Sequence, residues 1–169
     1  MADAKVLVIM GSDSDFPVME SCFKLLNKFD ISYEAKICSA HRSPYQAAQI
    51  ASSAKSDGFS VIIAAAGLAA HLPGVLAAYT ILPVIGVPCK GGALQGVDAL
   101  YSIVQMPAGI PVATVAIDGA ANAAILAAQI LALGDEDLSQ KLIHYKEELE
   151  ASVEQRNIRL AEKLTTIGE

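Results

Sequence analysis

The chain has 169 residues, of which 53% are hydrophobic and only 18% charged, and its formal net charge is −6. This length fits one domain of ordinary size, and the composition excludes disorder over most of the chain. The negative charge argues against a nucleic-acid-binding surface, and no apolar run is long enough for a membrane span. The start of the chain lacks a signal core, and the three cysteines are widely spaced, so we expect a cytoplasmic protein with free thiols.

The charges are unevenly distributed along the chain. Between Val61 and Leu133 the only charged residues are Lys90, Asp98 and Asp118. A small domain cannot hide so long an uncharged segment inside itself, because its surface-to-volume ratio is too high. Obligate subunit interfaces resemble a domain core cut in half, so we expect an extensive homo-oligomer.

Strands and helices alternate along the sequence. Short apolar or β-branched runs predict buried strands at Lys5–Met10, Ser32–Cys38, Val61–Ala66, Pro83–Val87 and Val112–Ile117. Apolar residues at helical spacing predict a helix after each strand. The clearest helix start is the second, where Ser43 and Gln46 form a predicted capping box around Pro44.

This alternation predicts an α/β fold, a doubly wound five-stranded parallel sheet with the flavodoxin-like order 2-1-3-4-5. Ligands bind such sheets beyond the carboxyl ends of the strands, where the strand order reverses. That point lies here between the first and third strands. We therefore expect four loops to share one edge of the sheet: Gly11–Asp15, Ser39–Ser43, Gly67–His71 and Pro88–Gly96.

One domain is predicted, with a core over residues 1–133 and a helical extension over residues 134–169. The extension contains a long helix, about Leu138 to Thr166, with an apolar stripe at three- and four-residue steps. We expect this stripe to lie over a neighbouring subunit; packing on its own sheet is the alternative.

Two of the loops carry side chains suited to an anionic ligand. Gly11–Asp15 joins a strand to a helix start, where free N–H groups attract phosphate, although Ser and Asp also cap helices without any ligand. His41 and Arg42 precede another helix start. His41 offers an acid-base group, and the Arg42 guanidinium offers two parallel N–H donors for phosphate. His71 lies in the uncharged segment, where it is either a ligand contact or a satisfied buried histidine. No metal-ligand set is present.

Two alternatives belong to other classes of protein. A phosphorylation-receiver domain needs an aspartate at the end of the third strand, where this chain has Ala64-Ala65-Ala66, so that class is excluded. A non-catalytic, nucleotide-binding flavodoxin-like oligomer stays open; the scarcity of aromatic residues near the loops argues weakly against flavin stacking.

The sequence resembles the PurE family over roughly Val6 to Leu133. Five motifs in the family's order carry the resemblance: Gly11-Ser12-Asp13-Ser14-Asp15, Ser39-Ala40-His41-Arg42-Ser43-Pro44, Ala69-Ala70-His71-Leu72-Pro73-Gly74, Ser102-Ile103-Val104-Gln105-Met106-Pro107 and Gly109-Ile110-Pro111-Val112-Ala113-Thr114. The class most similar is the class I mutases of purine biosynthesis. The resemblance implies a homo-octamer that uses neither cofactor nor metal. Its substrate would be a ribonucleotide, 5-(carboxyamino)imidazole ribonucleotide, whose carboxylate moves to carbon 4 of the ring.

The resemblance also implies roles for individual residues. His41 would be the general acid-base group, and His71 would hold the migrating carboxylate with the backbone of Gly67, Leu68, Ala69 and Ala70. The ribose phosphate would be bound by Ser12, Asp15 and Arg42, with Ser14 and Ser39 nearby.

The sequence departs from the family's pattern at Leu68, where a glycine is usual, at Lys90-Gly91-Gly92, and in a shortened loop at Asp118-Gly119-Ala120. The second class of the family, which adds free carbon dioxide to aminoimidazole ribonucleotide, is the alternative. That class carries Ala-His-Lys where this chain has Ala40-His41-Arg42, and an arginine in the segment corresponding to Ala66–Ala70.

Overall fold

The structure, a computed structural model, describes residues 5–167, with the exception of the side chain at position 166. Five parallel strands form one sheet in the order β2-β1-β3-β4-β5, which confirms the predicted fold class. The strands are β1 (Val6–Met10), β2 (Tyr33–Ile37), β3 (Val61–Gly67), β4 (Val84–Cys89) and β5 (Ala113–Thr114). The helices are α1 (Phe16–Lys28), α2 (Pro44–Ser53), α3 (Leu72–Tyr79), α4 (Val97–Val104), α5 (Ala120–Ala132) and α6 (Glu136–Ile167).

The three central strands form the core of the sheet. All residues of β1 and β4 are buried, and so are all residues of β3 except the last. A parallel sheet is covered by helices on both faces, so its central strands are continuous apolar runs without alternation. The edge strand β2 is exposed over most of its length and carries Glu34 and Lys36. Such charges discourage further strand pairing at an edge.

The last strand is shorter than predicted. The sequence indicates a strand over Val112–Ile117, but only Ala113 and Thr114 pair with β4. The chain turns soon afterwards: Gly119 donates its N–H to Ala116, and Asp118 adopts a left-handed φ of 57°. The strand propensity of this segment is overridden by the turn that starts α5.

The capping box predicted at Ser43 is wrong, although α2 does begin at Pro44. No side-chain cap forms there, because Ser43 Oγ donates to the carbonyl of Ser39 at 2.9 Å. A capping box forms instead before α1: Ser12 Oγ accepts from the N–H of Ser14 at 3.3 Å, and Asp15 Oδ2 accepts from the N–H of Ser12 at 3.0 Å. This box closes a short 3-10 turn over Asp13–Asp15.

The chain divides into two units between Leu131 and Ala132. The first contains the sheet and the helices around it. The second contains α6, a single helix of 32 residues. Across residues 5–167, every helix is too short or too polar to cross a membrane.

Candidate active site

A cavity of about 340 Å³ opens at the carboxyl edge of the sheet. It lies where β1 and β3 end, which is the point where the strand order reverses. Three chain segments line it, after β1, after β2 and at the end of β3. The lining residues are Gly11, Ser12, Ser14, Asp15, Ser39, Ala40, His41, Arg42, Ala66, Gly67, Leu68, Ala70 and Leu72.

Most residues selected from the sequence meet in this cavity. Ser12, Ser14, Asp15, Ser39, His41, Arg42, Gly67, Leu68 and Ala70 all line it. Ala69 and His71 do not. Four further lining residues are not among the binding residues that the resemblance implies: Gly11, Ala40, Ala66 and Leu72, of which Leu72 is buried.

The segment after β1 places a carboxylate between two strands. Asp15 is only 7% exposed, and its carboxylate oxygens lie close to Gly11, which directly follows β1, and to Gly67 at the end of β3. A Cβ built on Gly11 would be in ordinary van der Waals contact with Asp15 Oδ2, at 3.5 Å, so the carboxylate lies directly beside this part of the backbone. The two serine hydroxyls of this segment are hydrogen-bonded to each other, with Ser14 Oγ donating to Ser12 Oγ at 3.0 Å.

Burial raises the pKa of Asp15 above its ordinary value of 3.8. Desolvation disfavours the charged form, and the nearby Asp13 carboxylate acts in the same direction. Hydrogen bonds from the backbone at Ser12 and Gly11 oppose these effects. A buried carboxylate held in this way can accept hydrogen bonds from the hydroxyls of a bound sugar.

The segment after β2 presents the two groups suited to acid-base work and phosphate binding. Ser39 shapes this loop, because its Oγ accepts from the N–H of Arg42 and its carbonyl accepts from the N–H of Ser43. The side chains of His41 and Arg42 are exposed and line the cavity. Within residues 5–167 neither makes a hydrogen bond or ion pair, so both are available to a ligand.

His71 is held by the protein itself. Its Nδ1 hydrogen-bonds the carbonyl of Ser102, and a carbonyl only accepts, so Nδ1 carries a proton. Ser102 Oγ donates in turn to the carbonyl of Ala70 at 3.0 Å. These two bonds connect the last turn of α4 to the start of α3. No local sequence pattern indicates a role for Ser102, because the pairing joins residues far apart in the chain.

The third segment makes the opposite wall apolar. Ala66, Gly67 and Ala70 leave room beside Asp15, and Leu68 stands at the mouth with 58% of its surface exposed. Among the described residues, no three side chains of the metal-binding types come together. The cavity therefore has a polar side, suited to a sugar phosphate, and an apolar side.

Fold and cavity define a doubly wound α/β protein with a small-molecule site at the switch point of the sheet. The chain belongs to the AIR carboxylase family, whose model matches residues 5–152. The match extends past the region where the resemblance was seen in the sequence and includes the first half of α6.

Solved and sequenced relatives agree with this assignment. The chain is 57% identical over 145 residues to the N5-carboxyaminoimidazole ribonucleotide mutase of Pyrococcus abyssi, covering 86% of this chain and 83% of that protein. It is 53% identical over 161 residues to the phosphoribosylaminoimidazole carboxylase of Candida glabrata, covering 95% of this chain but 28% of that protein. The crystal structure of Treponema denticola PurE superposes with a TM-score of 0.83 at 29% identity, covering 92% of this chain and 97% of that one.

Proposed function

We propose that this protein is a mutase that converts N5-carboxyaminoimidazole ribonucleotide to 4-carboxy-5-aminoimidazole ribonucleotide. The observation that carries the proposal is the 57% identity to the Pyrococcus abyssi mutase over most of both chains. The cavity supports it, because one side offers phosphate and sugar partners while the other offers a small apolar space.

In the proposed binding mode, Arg42 and the serine hydroxyls of Ser12, Ser14 and Ser39 surround the ribose phosphate. Arg42 supplies a forked set of donors that matches phosphate oxygens. Asp15 accepts hydrogen bonds from the ribose hydroxyls. The imidazole ring then lies between the polar side and the wall formed by Gly67, Leu68 and Ala70.

In the proposed reaction, the bond between the exocyclic nitrogen and the carboxylate breaks while His41 gives a proton to that nitrogen. Carbon dioxide and the amine are left in the cavity. Carbon 4 of the ring then forms a bond to the carbon dioxide, and the proton on carbon 4 returns to His41. One proton moves from carbon to nitrogen, no electrons are gained or lost, and an imidazole can both give and take a proton.

His71 has a supporting part in this scheme. Its Nδ1–H group donates to the Ser102 carbonyl. Nε2 is therefore the ring nitrogen that remains for another partner, and in the neutral ring Nε2 is an acceptor. We assign it the role of fixing the turn that carries the Gly67–Ala70 backbone, which lies beside the one-carbon unit in the proposed binding mode.

Direct carboxylation of aminoimidazole ribonucleotide by free carbon dioxide is the alternative. The relative named a carboxylase is a longer protein, of which this chain matches 28%, so its name describes more than the matched part. The deciding experiment supplies each substrate separately and follows the 4-carboxy product. Efficient conversion of the carbamate, with little product from aminoimidazole ribonucleotide and bicarbonate, is expected. The reverse preference would overturn the mutase assignment.

The proposed assembly is a cytoplasmic homo-octamer. The weakly charged segment leaves large apolar side chains on the surface: Tyr79, Ile81, Leu94, Val97, Tyr101 and Val104. Patches of this kind mark interfaces between subunits. Sedimentation equilibrium is expected to give eight chains per particle, and a stable monomer at micromolar concentration would contradict the proposal.

A further inference from the structure

Leu68 adopts a backbone conformation that leucine rarely takes. Its φ is 53°, and it is the first central residue of a turn in which Ala70 N–H donates to the Gly67 carbonyl at 3.3 Å. A positive φ at that position is the usual place for glycine. Strained residues of this kind persist only where surrounding structure holds them, and they cluster at functional sites.

The Leu68 side chain rests on the backbone of the loop after β4. A Cβ on Gly92 would lie 2.7 Å from Leu68 Cδ2, so a side chain there would push the end of the leucine away. Gly92 itself has a φ of 58°. The leucine side chain at the mouth of the cavity is thus in contact with a second loop, Lys90–Gly96, that does not itself line the cavity.

That second loop is anchored at its base. Asp118 Oδ1 accepts from the N–H of Lys90 at 2.7 Å, and the Asp118 N–H donates to the Pro88 carbonyl at 2.9 Å. A side chain on Gly96 would approach the Cys89 carbonyl to 3.3 Å, so the loop also packs closely at its other end. The surface on which Leu68 rests is therefore held in place by the end of the sheet.

We propose that Leu68, seated on Gly92, is a specificity-determining residue that closes the apolar side of the cavity against water and retains the one-carbon unit during its transfer. This rests on the proposed function. The other lining groups on that side, such as Ala66, Gly67 and Ala70, are too small to cover the mouth. Leu68 is the one large side chain among the described lining residues that is both apolar and exposed.

The chemistry explains why such a cover matters. Once the nitrogen–carbon bond has broken, carbon dioxide carries no charge, so hydrogen bonds and ion pairs hold it poorly. It then either forms the new bond to carbon 4 or escapes, leaving aminoimidazole ribonucleotide as a by-product. Exclusion of water limits such side reactions. The ratio of by-product to product therefore reports on Leu68 more directly than the overall rate does.

The test compares Leu68→Gly with the volume-matched control Leu68→Met in the full-length protein. Each is given N5-carboxyaminoimidazole ribonucleotide, and both products are quantified against a no-enzyme blank. Leu68→Gly is expected to raise the ratio of aminoimidazole ribonucleotide to 4-carboxy product about tenfold, the scale on which a missing apolar group changes discrimination in a pocket. Leu68→Met is expected to keep the ratio within about twofold of wild type, since volume-conserving swaps are tolerated best.

Gly92→Ala gives a second test, because its methyl group displaces the Leu68 side chain, and the strain of alanine at a φ of 58° is the same in both Leu68 backgrounds. It is expected to raise the same ratio in the wild-type background and to add little in the Leu68→Gly background, where the contact is already lost. A wild-type ratio in Leu68→Gly, or fully additive effects of the two changes, would overturn the inference alone. If the wild-type protein made no 4-carboxy product from the carbamate, the proposed function would fail and this inference with it.

Discussion

The imidazole of His71 occupies the space that a side chain on Gly74 would need. A methyl group built on Gly74 overlaps the Nε2 edge of the ring. His71 is the N-cap residue of α3, and Gly74 lies one turn further along the same helix. With Nδ1 bound to the Ser102 carbonyl, the ring is held on two sides. The glycine of the His71-Leu72-Pro73-Gly74 motif is therefore required by the histidine that precedes it.

Gly74→Ala is expected to destabilise the protein by about 1–3 kcal/mol, the usual cost of overpacking a filled site. The matched control is the same change in a His71→Ala background. There the ring is absent, and alanine is expected to stabilise the helix by about 0.5–1 kcal/mol relative to glycine. Denaturant unfolding of the four proteins at one concentration measures both effects. The same sign in both backgrounds would contradict the steric explanation.

His41→Asn is expected to lower kcat about 100- to 10,000-fold, the range that acid-base groups contribute. Because the His41 side chain is exposed and lines the cavity without a partner among the described residues, folding and assembly should be unaffected. Steady-state kinetics with the carbamate substrate, alongside thermal unfolding and light scattering, provides the measurement. Activity within a few-fold of wild type would remove His41 from the mechanism.

Asp15→Asn is expected to gain stability relative to wild type as the pH rises. The buried carboxyl has a raised pKa, so the folded protein holds its proton more tightly than the unfolded chain does. The free energy of unfolding of the wild type therefore falls as the pH rises through the interval between the unfolded and folded pKa values. Asparagine does not titrate there and keeps an acceptor oxygen for Ser12.

The measurement is the difference in free energy of unfolding between Asp15→Asn and wild type, taken from acidic to neutral pH. If the wild type instead became more stable relative to Asp15→Asn as the pH rises, the backbone hydrogen bonds to Asp15 would outweigh its desolvation. Substrate affinity is expected to fall about 10- to 100-fold at neutral pH, since hydrogen bonds to a charged group are the stronger ones.

Deleting the chain from Leu138 onward is expected to lower the oligomeric state or the solubility. The removed helix α6 exposes a series of apolar side chains, including Ile143, Leu149, Val153, Leu160 and Leu164. In the proposed assembly these cover a neighbouring subunit, which would lose that cover on truncation. Light scattering on the truncated protein provides the measurement, and an unchanged octamer would show that the helix is peripheral.

The position of the cavity could be predicted before any motif was considered. Uninterrupted apolar strands alternating with amphipathic helices leave one arrangement, a parallel sheet with right-handed crossovers, and the switch point follows from the strand order. The side chains on the polar side follow strand ends: Ser12 and Asp15 come after β1, and His41 and Arg42 come after β2. Their meeting in one cavity is a consequence of chain direction, which local sequence encodes.

Local hydrogen bonding was predicted less well, because several acceptors compete for one side chain. Ser43 has the right spacing to Gln46 for a capping box, yet its hydroxyl donates to the Ser39 carbonyl one turn earlier. Ser12 and Asp15, considered equally for capping and for ligand binding, form a capping box and also line the cavity. Spacing alone does not rank such partners, since each bond contributes only about 1 kcal/mol.

The sequence by itself determined the fold class, the edge of the sheet at which the cavity lies, and the side chains on its polar side, because these depend on periodicity and on residues next to strand ends. Only the tertiary structure decided what His71 and Leu68 do. His71 is tied to Ser102, 31 residues away, and Leu68 is seated on Gly92 of another loop. Such contacts join elements that are neighbours only after the sheet has formed, so no local pattern in the sequence records them.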